Sequence, residues 1–139
     1  PRTYAQRKAW VESHHDPYAV FVTTVPATDA ATEGGERIIG FSALSVFYDR
    51  AGYDGVTDLA YYIAPEWQGR RAGTFTLAKL LDECRNRHMR KACGIIFADN
   101  RGSIALMKHF GFTQFGLMPQ AATDSTGTMR DMSYWHLDL

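Results

Sequence analysis

The sequence predicts a mixed α+β (α/β) domain, one sheet with helices packed on it, and three observations carry this. Short runs rich in β-branched and aromatic residues alternate with stretches of helical period, in the order helix, strands, helix, strand, helix, strands. A strand-like run, Leu59 to Ile63, leads through Pro65 and a turn rich in glycine and arginine into the strongest helical pattern of the chain. The 139 residues show no internal repeat and no linker, which suits one domain, 1–139, with its own core.

Taken in order, residues 3–15 read as an amphipathic helix, with Tyr4, Lys8 and Val11 along one side, ended by Asp16-Pro17. The adjacent His14 and His15 point in different directions on a helix, so they read as a solvated helix end rather than a metal site. Tyr18 to Thr24 is a strand by content, and Pro26 to Glu36, rich in Ala, Thr, Asp and Gly, reads as a flexible hairpin loop. Arg37 to Phe47 is a longer strand, with Ile39, Phe41, Ala43, Ser45 and Phe47 on one face. Tyr48 to Thr57 is a loop. Thr74 to Met89 is helical, because Leu77, Leu81, Cys84 and His88 recur at helical spacing. Arg85, Arg87 and His88 suit the negative end of that helix. Ala92 to Ala98 is a buried strand closed by Asp99-Asn100. Ser103 to Phe110 is a short helix stopped by Gly111, a residue that tolerates the left-handed conformation. Phe112 to Met118 is a strand, Pro119 to Thr128 a polar loop, and Met129 to Leu139 the final strand.

Composition bounds the function. Lys plus Arg and Asp plus Glu are both 15, so the net charge is zero, which argues against a nucleic-acid binder and leaves room for an anion in a local pocket. Cys84 and Cys93 read as two buried, reduced thiols. No apolar run reaches membrane length and no signal peptide opens the chain, so a cytoplasmic protein without membrane partners is expected.

The segment Asp58 to Thr74 holds the strongest chemical signal. Pro65 stops the strand because it has no amide hydrogen. The turn Gln68 to Gly73 then opens a helix, whose first amides and positive dipole end suit a phosphate. Arg70 and Arg71 add positive charge. The spacing is not that of a nucleotide P-loop, since no lysine follows Gly73, nor that of the dinucleotide fingerprint. By itself such a turn is equally compatible with a plain surface connection.

Two spaced motifs decide between these. The run Gln68-Gly69-Arg70-Arg71-Ala72-Gly73 matches [QR]-x-x-G-x-[GA] at a strand-to-helix turn, with Arg71 where the pattern prefers glycine. Ala98-Asp99-Asn100-Arg101-Gly102-Ser103-Ile104-Ala105-Leu106, followed by Gly111-Phe112, matches A-D-N-x-x-S-I-A-L and G-F. On these motifs the run from Asp58 to Leu139 resembles the GCN5-related N-acetyltransferase (GNAT) family. Within it the chain is most similar to the phosphinothricin and methionine sulfone/sulfoximine acetyltransferases, through Asp58 before Ile63, the loop residues Phe47, Arg50 and Tyr53, and the ending Trp135 to Asp138. The resemblance implies the acyl-CoA N-acyltransferase fold: a central, mostly antiparallel sheet splayed to admit CoA, with helices on both faces. Relatives open with a strand and helix before the segment seen here, so either this is a fragment or processed form or the protein lacks them. Asp58 stands where the subgroup has glutamate, and Met107 where many relatives carry a Tyr or His proposed as general acid.

The activity implied is transfer of an acetyl group from acetyl-CoA, with no metal, to the primary amine of a small amino acid or analogue. Such an amine is mostly protonated near pH 7, so a carboxylate must take its proton. Asp58 is the candidate base, its short side chain favouring a water relay; the other reading is an aspartate that closes the preceding loop. By the resemblance, Gln68, Gly69, Arg70, Arg71, Ala72, Gly73 and Thr74 form the pyrophosphate turn. Tyr62 and Ile63 pair with the pantetheine arm like an added strand, and one of their amides receives the developing oxyanion. Asn100 and Ser103 hold the arm from the other side. Phe47, Arg50 and Tyr53 line the acceptor pocket, Arg50 pairing a carboxylate. A solvated Arg70, a strand-end turn at Asn100 and a plain loop role for Arg50 stay open. With Met107 in place of an acid, water is expected to protonate the leaving thiolate. An N-terminal protein acetyltransferase and a silent acyl-CoA-binding module are the alternatives. A homodimer is implied, with Pro119–Thr128 near the active site of the second subunit.

Overall fold

The computed structural model describes residues 2–27 and 35–139. Helix α1 spans Tyr4–Glu12, and strands β1 (Ala19–Pro26) and β2 (Glu36–Val46) form an antiparallel pair. The heart of the loop expected between them lies outside the described residues. A 3-10 turn, Ala51–Tyr53, leads into β3 (Val56–Ile63), and a second, Pro65–Trp67, follows it. Helix α2 (Ala72–Asn86), β4 (Lys91–Phe97), α3 (Arg101–His109), β5 (Thr113–Thr123) and β6 (Met129–Asp138) complete the chain.

The six strands form one sheet in the order β1-β2-β3-β4-β6-β5. Only β3 and β4 run parallel, and they pair over just four positions, from Val56↔Lys91 to Leu59↔Gly94. Beyond Leu59, β3 keeps β2 beside it as far as Ile63, with no strand on its other side. The sheet is therefore mostly antiparallel and splayed in the middle, as expected. Alternation along the strands assigns two faces. Leu44, Leu59, Ala92 and Trp135 pack with Leu77, Leu80, Leu81 and Cys84 of α2 and Met107 of α3 in one buried core. Helix α1 lies on the opposite face, where Trp10 packs edge-on against Phe41 and the His14 ring meets Ser45.

Several local expectations are corrected. Strand β3 begins at Val56, so Asp58 is a strand residue and not the end of a loop. Helix α2 ends at Asn86; His88 is exposed at φ 61° and Met89 takes the core position instead. Strand β5 runs on to Thr123, through a break in register between Met118 and Ala122 where Gln120 takes φ 48°. Pro119 and the polar residues after it made this stretch read as loop. His14 is half-buried: Nδ1 lies 2.7 Å from the Trp10 carbonyl and Nε2 2.9 Å from Ser45 Oγ, so it is not a solvated helix end.

Candidate active site

The splay opens two adjoining clefts along the unpaired edge of β3. A cleft of about 640 Å³ is lined by Tyr61, Tyr62, Ile63, Gln68, Gly69, Arg71, Gly73, Thr74, Asn100, Gly102, Ser103 and Leu106. The turn between β3 and α2 shapes it. Gly69 has φ 76°, and the Gln68 side-chain amide donates to the Ile63 carbonyl at 3.0 Å, tying the turn to the strand. Arg71 caps α2 in the left-handed region, φ 63°, with no side-chain capping bond. The first intrahelical bond runs from the Phe75 amide to the Arg71 carbonyl at 3.0 Å. The amides of Ala72, Gly73 and Thr74 precede it and have no partner within the helix, which is the arrangement that holds a phosphate. Gly73 lies against Leu106, and a Cβ there would meet Leu106 Cδ1 at 3.3 Å. The Arg70 guanidinium stacks on the Trp67 ring at 5.1 Å, and neither Arg70 nor Ala72 lines the cleft.

Opposite the turn, Asn100 caps α3. Its side-chain oxygen accepts from the Ser103 amide at 3.1 Å, and the Tyr61 hydroxyl donates to Ser103 Oγ at 3.2 Å. Tyr61, Asn100 and Ser103 also line an adjoining cleft of about 340 Å³ that reaches Asp58. There the Asp58 Oδ1 is buried without a hydrogen-bond partner. Burial pushes the carboxyl up to about 6. A buried carboxylate oxygen without a partner calls for an explanation.

On the α1 face, cross-strand register aligns Ser45, Asp58, Cys93 and His136 in one row. Burial raises the Cys93 thiol, the nearby Asp58 charge raises it further, and Lys91 acts against both. Cys93 also lines a third cavity, of about 360 Å³, with Phe47, Gly52, Tyr53, Val56, Arg90, Lys91, Phe115 and His136. Asp58 thus stands between the two spaces, in the cleft on one side and beside Cys93 on the other.

Phe47 and Tyr53 are brought together here, their ring centroids 6.0 Å apart. Arg50 is not: its guanidinium lies 5.8 Å from the Tyr48 ring and outside the lining. The guanidinium in the cavity is that of Arg90, which donates from Nε to the Asp54 carbonyl at 3.2 Å and from Nη2 to the Gly52 carbonyl at 3.3 Å. Lys91 is held by Asp138. Sequence reasoning missed Arg90, Phe115, His136 and Tyr61. Period-two alternation around the inward Trp135 was the one signal for His136; Arg90 carried none, because it precedes its strand. Met107, on α3, is 1% exposed and its side chain lies in the core. Among the described residues no cluster of His, Cys, Asp or Glu is suited to a metal ion, and no helix is long and apolar enough to cross a membrane.

Comparison with known proteins agrees with this geometry. The model of the acetyltransferase (GNAT) family matches residues 2–112. The L-methionine sulfoximine/L-methionine sulfone acetyltransferase of Pseudomonas aeruginosa is 26% identical over all of this chain and 76% of its own length. The phosphinothricin N-acetyltransferase of Streptomyces coelicolor is 30% identical over 84% of this chain and 65% of its own. A phosphinothricin acetyltransferase from Sinorhizobium meliloti, solved in complex with AcCoA, superposes with a TM-score of 0.76 at 26% identity, covering 97% of this chain and 67% of that one. The family match, the splayed sheet and the open amides at the start of α2 lead to one conclusion: the chain belongs to the GNAT family and is an acetyl-CoA-dependent N-acetyltransferase.

Proposed function

We propose that this enzyme acetylates the primary amine of a small amino acid or amino-acid analogue of the phosphinothricin or methionine sulfone/sulfoximine kind. The observation that carries the reading is the unpartnered Asp58 carboxylate, placed between the large cleft and the aromatic cavity. With a pKa of about 6 it is mostly ionised at pH 7 and still basic enough to accept a proton. It takes the proton of the attacking ammonium directly or through one water. The nitrogen then attacks the thioester carbonyl.

The pyrophosphate of acetyl-CoA lies against Arg71, Gly73, Thr74 and the unused α2 amides, and its arm runs along the open side of β3 at Tyr62 and Ile63. An amide of that open edge receives the oxyanion. Asn100 and Ser103 close the other wall. The acceptor occupies the cavity of Phe47, Tyr53 and Phe115, and Arg90 pairs its carboxylate. Two of the Arg90 donors are spent on Gly52 and Asp54, which fixes the guanidinium plane and leaves the remaining N–H groups for an anion. The same reading carries a cytoplasmic location. It also carries a homodimer, with Pro119–Thr128 near the active site of the second subunit, and a monomeric mass in solution would refute that part.

The test is release of free CoA from acetyl-CoA with phosphinothricin, methionine sulfone, methionine sulfoximine, other amino acids and short peptides. Turnover on the amino-acid analogues is expected. Arg90→Gln should raise KM for the acceptor about tenfold, as for loss of a charge-assisted pair, while KM for acetyl-CoA stays unchanged. Turnover confined to peptides, or binding of acetyl-CoA with no turnover on any amine, would overturn the reading.

A further inference from the structure

Collapse of the tetrahedral intermediate expels a thiolate into a partly buried cleft, where it must take up a proton. Helix α3 offers no acid there: Met107 has no ionisable group, and its sulfur packs against Gly94, where a Cβ would approach it to 3.0 Å. One turn earlier the helix carries Ser103, and its hydroxyl accepts a hydrogen bond from Tyr61. Tyr61 comes from the far end of β3, past the last pairing with β4, where the strand edge is open. Its side chain crosses to α3, and both cavities of the splay share it with Asn100 and Ser103. No other described side chain with an acidic O–H is common to the two cavities.

We propose that Tyr61 is the catalytic acid that protonates the departing CoA sulfur, with Ser103 holding its hydroxyl in place at rest. The assignment rests on the acetyltransfer reading above. The Tyr61–Ser103 bond joins two neutral hydroxyls at 3.2 Å, and a developing thiolate, being charged, is the stronger acceptor. Burial raises the phenol above its ordinary value, which keeps it protonated through the neutral range. The same desolvation makes a thiolate in the cleft more basic, which narrows the gap between donor and acceptor. The bookkeeping closes. The C–S bond breaks with its electron pair on sulfur, and the phenolic proton goes to sulfur to give the free thiol. Solvent then returns a proton to the tyrosinate and removes from Asp58 the one taken from the amine. The net transfer is one proton from nitrogen to sulfur.

The experiment measures kcat, KM and their pH dependence for the parent enzyme, Tyr61→Phe, Ser103→Ala and the double variant, with acetyl-CoA and the best amine of the panel. Tyr61→Phe keeps the ring in place. It should lower kcat about 100-fold, the low end of the usual range for an acid or base, with KM for acetyl-CoA within about twofold. The parent kcat should decline at alkaline pH as Tyr61 ionises, and this limb should vanish in Tyr61→Phe. Ser103 lowers the phenol pKa, so Ser103→Ala should move the limb to higher pH, a readout that holds even where Tyr61→Phe folds poorly. The double variant should be no slower than Tyr61→Phe. A Tyr61→Phe enzyme with near-parental kcat and an unchanged alkaline limb overturns the assignment and leaves acetyltransfer standing. A rise in KM for acetyl-CoA that accounts for the whole loss also overturns it, since Tyr61 would then be packing. A parent enzyme that turns over no amine overturns acetyltransfer and this assignment together.

Discussion

Asp58→Asn should make the protein more stable and nearly inactive, and the two effects have one cause. The side chain sits in the cleft with one oxygen buried and unpartnered, and its pKa stands at about 6 instead of 3.8. A difference of about 2 in pKa, at about 1.4 kcal/mol each, means that keeping the ionised form in the fold costs about 3 kcal/mol. The sign follows from linkage. The native state holds this proton more tightly than the unfolded chain, so stability falls as pH rises between the two values. The cost is absent below about pH 4 and complete above about pH 6 to 7. Asparagine has nearly the same shape and no charge. At pH 8 the variant should therefore gain up to about 3 kcal/mol, reduced by whatever its buried amide leaves unpaired. At pH 4 it should match the parent. Urea denaturation at the two pH values measures this. CoA release at pH 8 should fall by about 10² to 10⁴. In the parent, kcat/KM should rise with pH through about 6. An equal stability difference at pH 4 and pH 8 would mean a solvated Asp58 and refute the reasoning; retained turnover would remove it from the mechanism.

Two further substitutions separate backbone from charge. Arg71→Gly should relieve the left-handed residue at φ 63° and raise stability by about 1 kcal/mol, while weakening acetyl-CoA binding about tenfold through the lost guanidinium. Arg71→Ala should lose the affinity without the stability, and a thermal-shift assay alongside KM for acetyl-CoA distinguishes them. Gly40→Ala should destabilise by about 1–3 kcal/mol, because its Cβ would stand 2.3 Å from the Tyr62 carbonyl oxygen and 2.9 Å from Ile63 Cδ1. It should also raise KM for acetyl-CoA by pushing the open edge of β3 out of place; full stability in a melting experiment would contradict the close strand approach.

Most of the fold was legible because the period of the apolar residues reports burial directly. Leu77, Leu81 and Cys84 mark the inner face of α2, and Asn100 and Gly111 bracket α3. The pattern failed where it ran past an element end, as at His88, and where Pro119 interrupts a strand that nonetheless pairs with β6 on both sides of its register break. The turn between β3 and α2 was legible from residue type and spacing, whereas the left-handed backbone at Arg71, where the pattern prefers glycine, was settled only by the structure. The aromatic cavity was legible only at Phe47 and Tyr53, since its other members come from the start of β4, β5 and β6, and only the sheet order brings them together. Arg50 and Arg90 carry the same charge, and nothing local distinguishes them. The difference is that Arg90 reaches back to the carbonyls of Gly52 and Asp54, 36 or more positions earlier in the chain.

The short β3–β4 ladder makes the sheet a pair of leaves. One leaf, β1-β2-β3, is drawn from the first half of the sequence, and the other, β4-β6-β5, from the second. Four residue pairs form the spine, and the leaves diverge from Leu59 and Gly94 onward like the legs of a compass. Asp58 and Cys93 face each other one step inside the pivot, where an angular change moves atoms least; Tyr62 and Asn100 stand out along the legs, where it moves them most. Met107 packs against Gly94 at the pivot itself. Position 107 therefore fills the angle where the two leaves part, and a change in its volume should be felt first at that pivot.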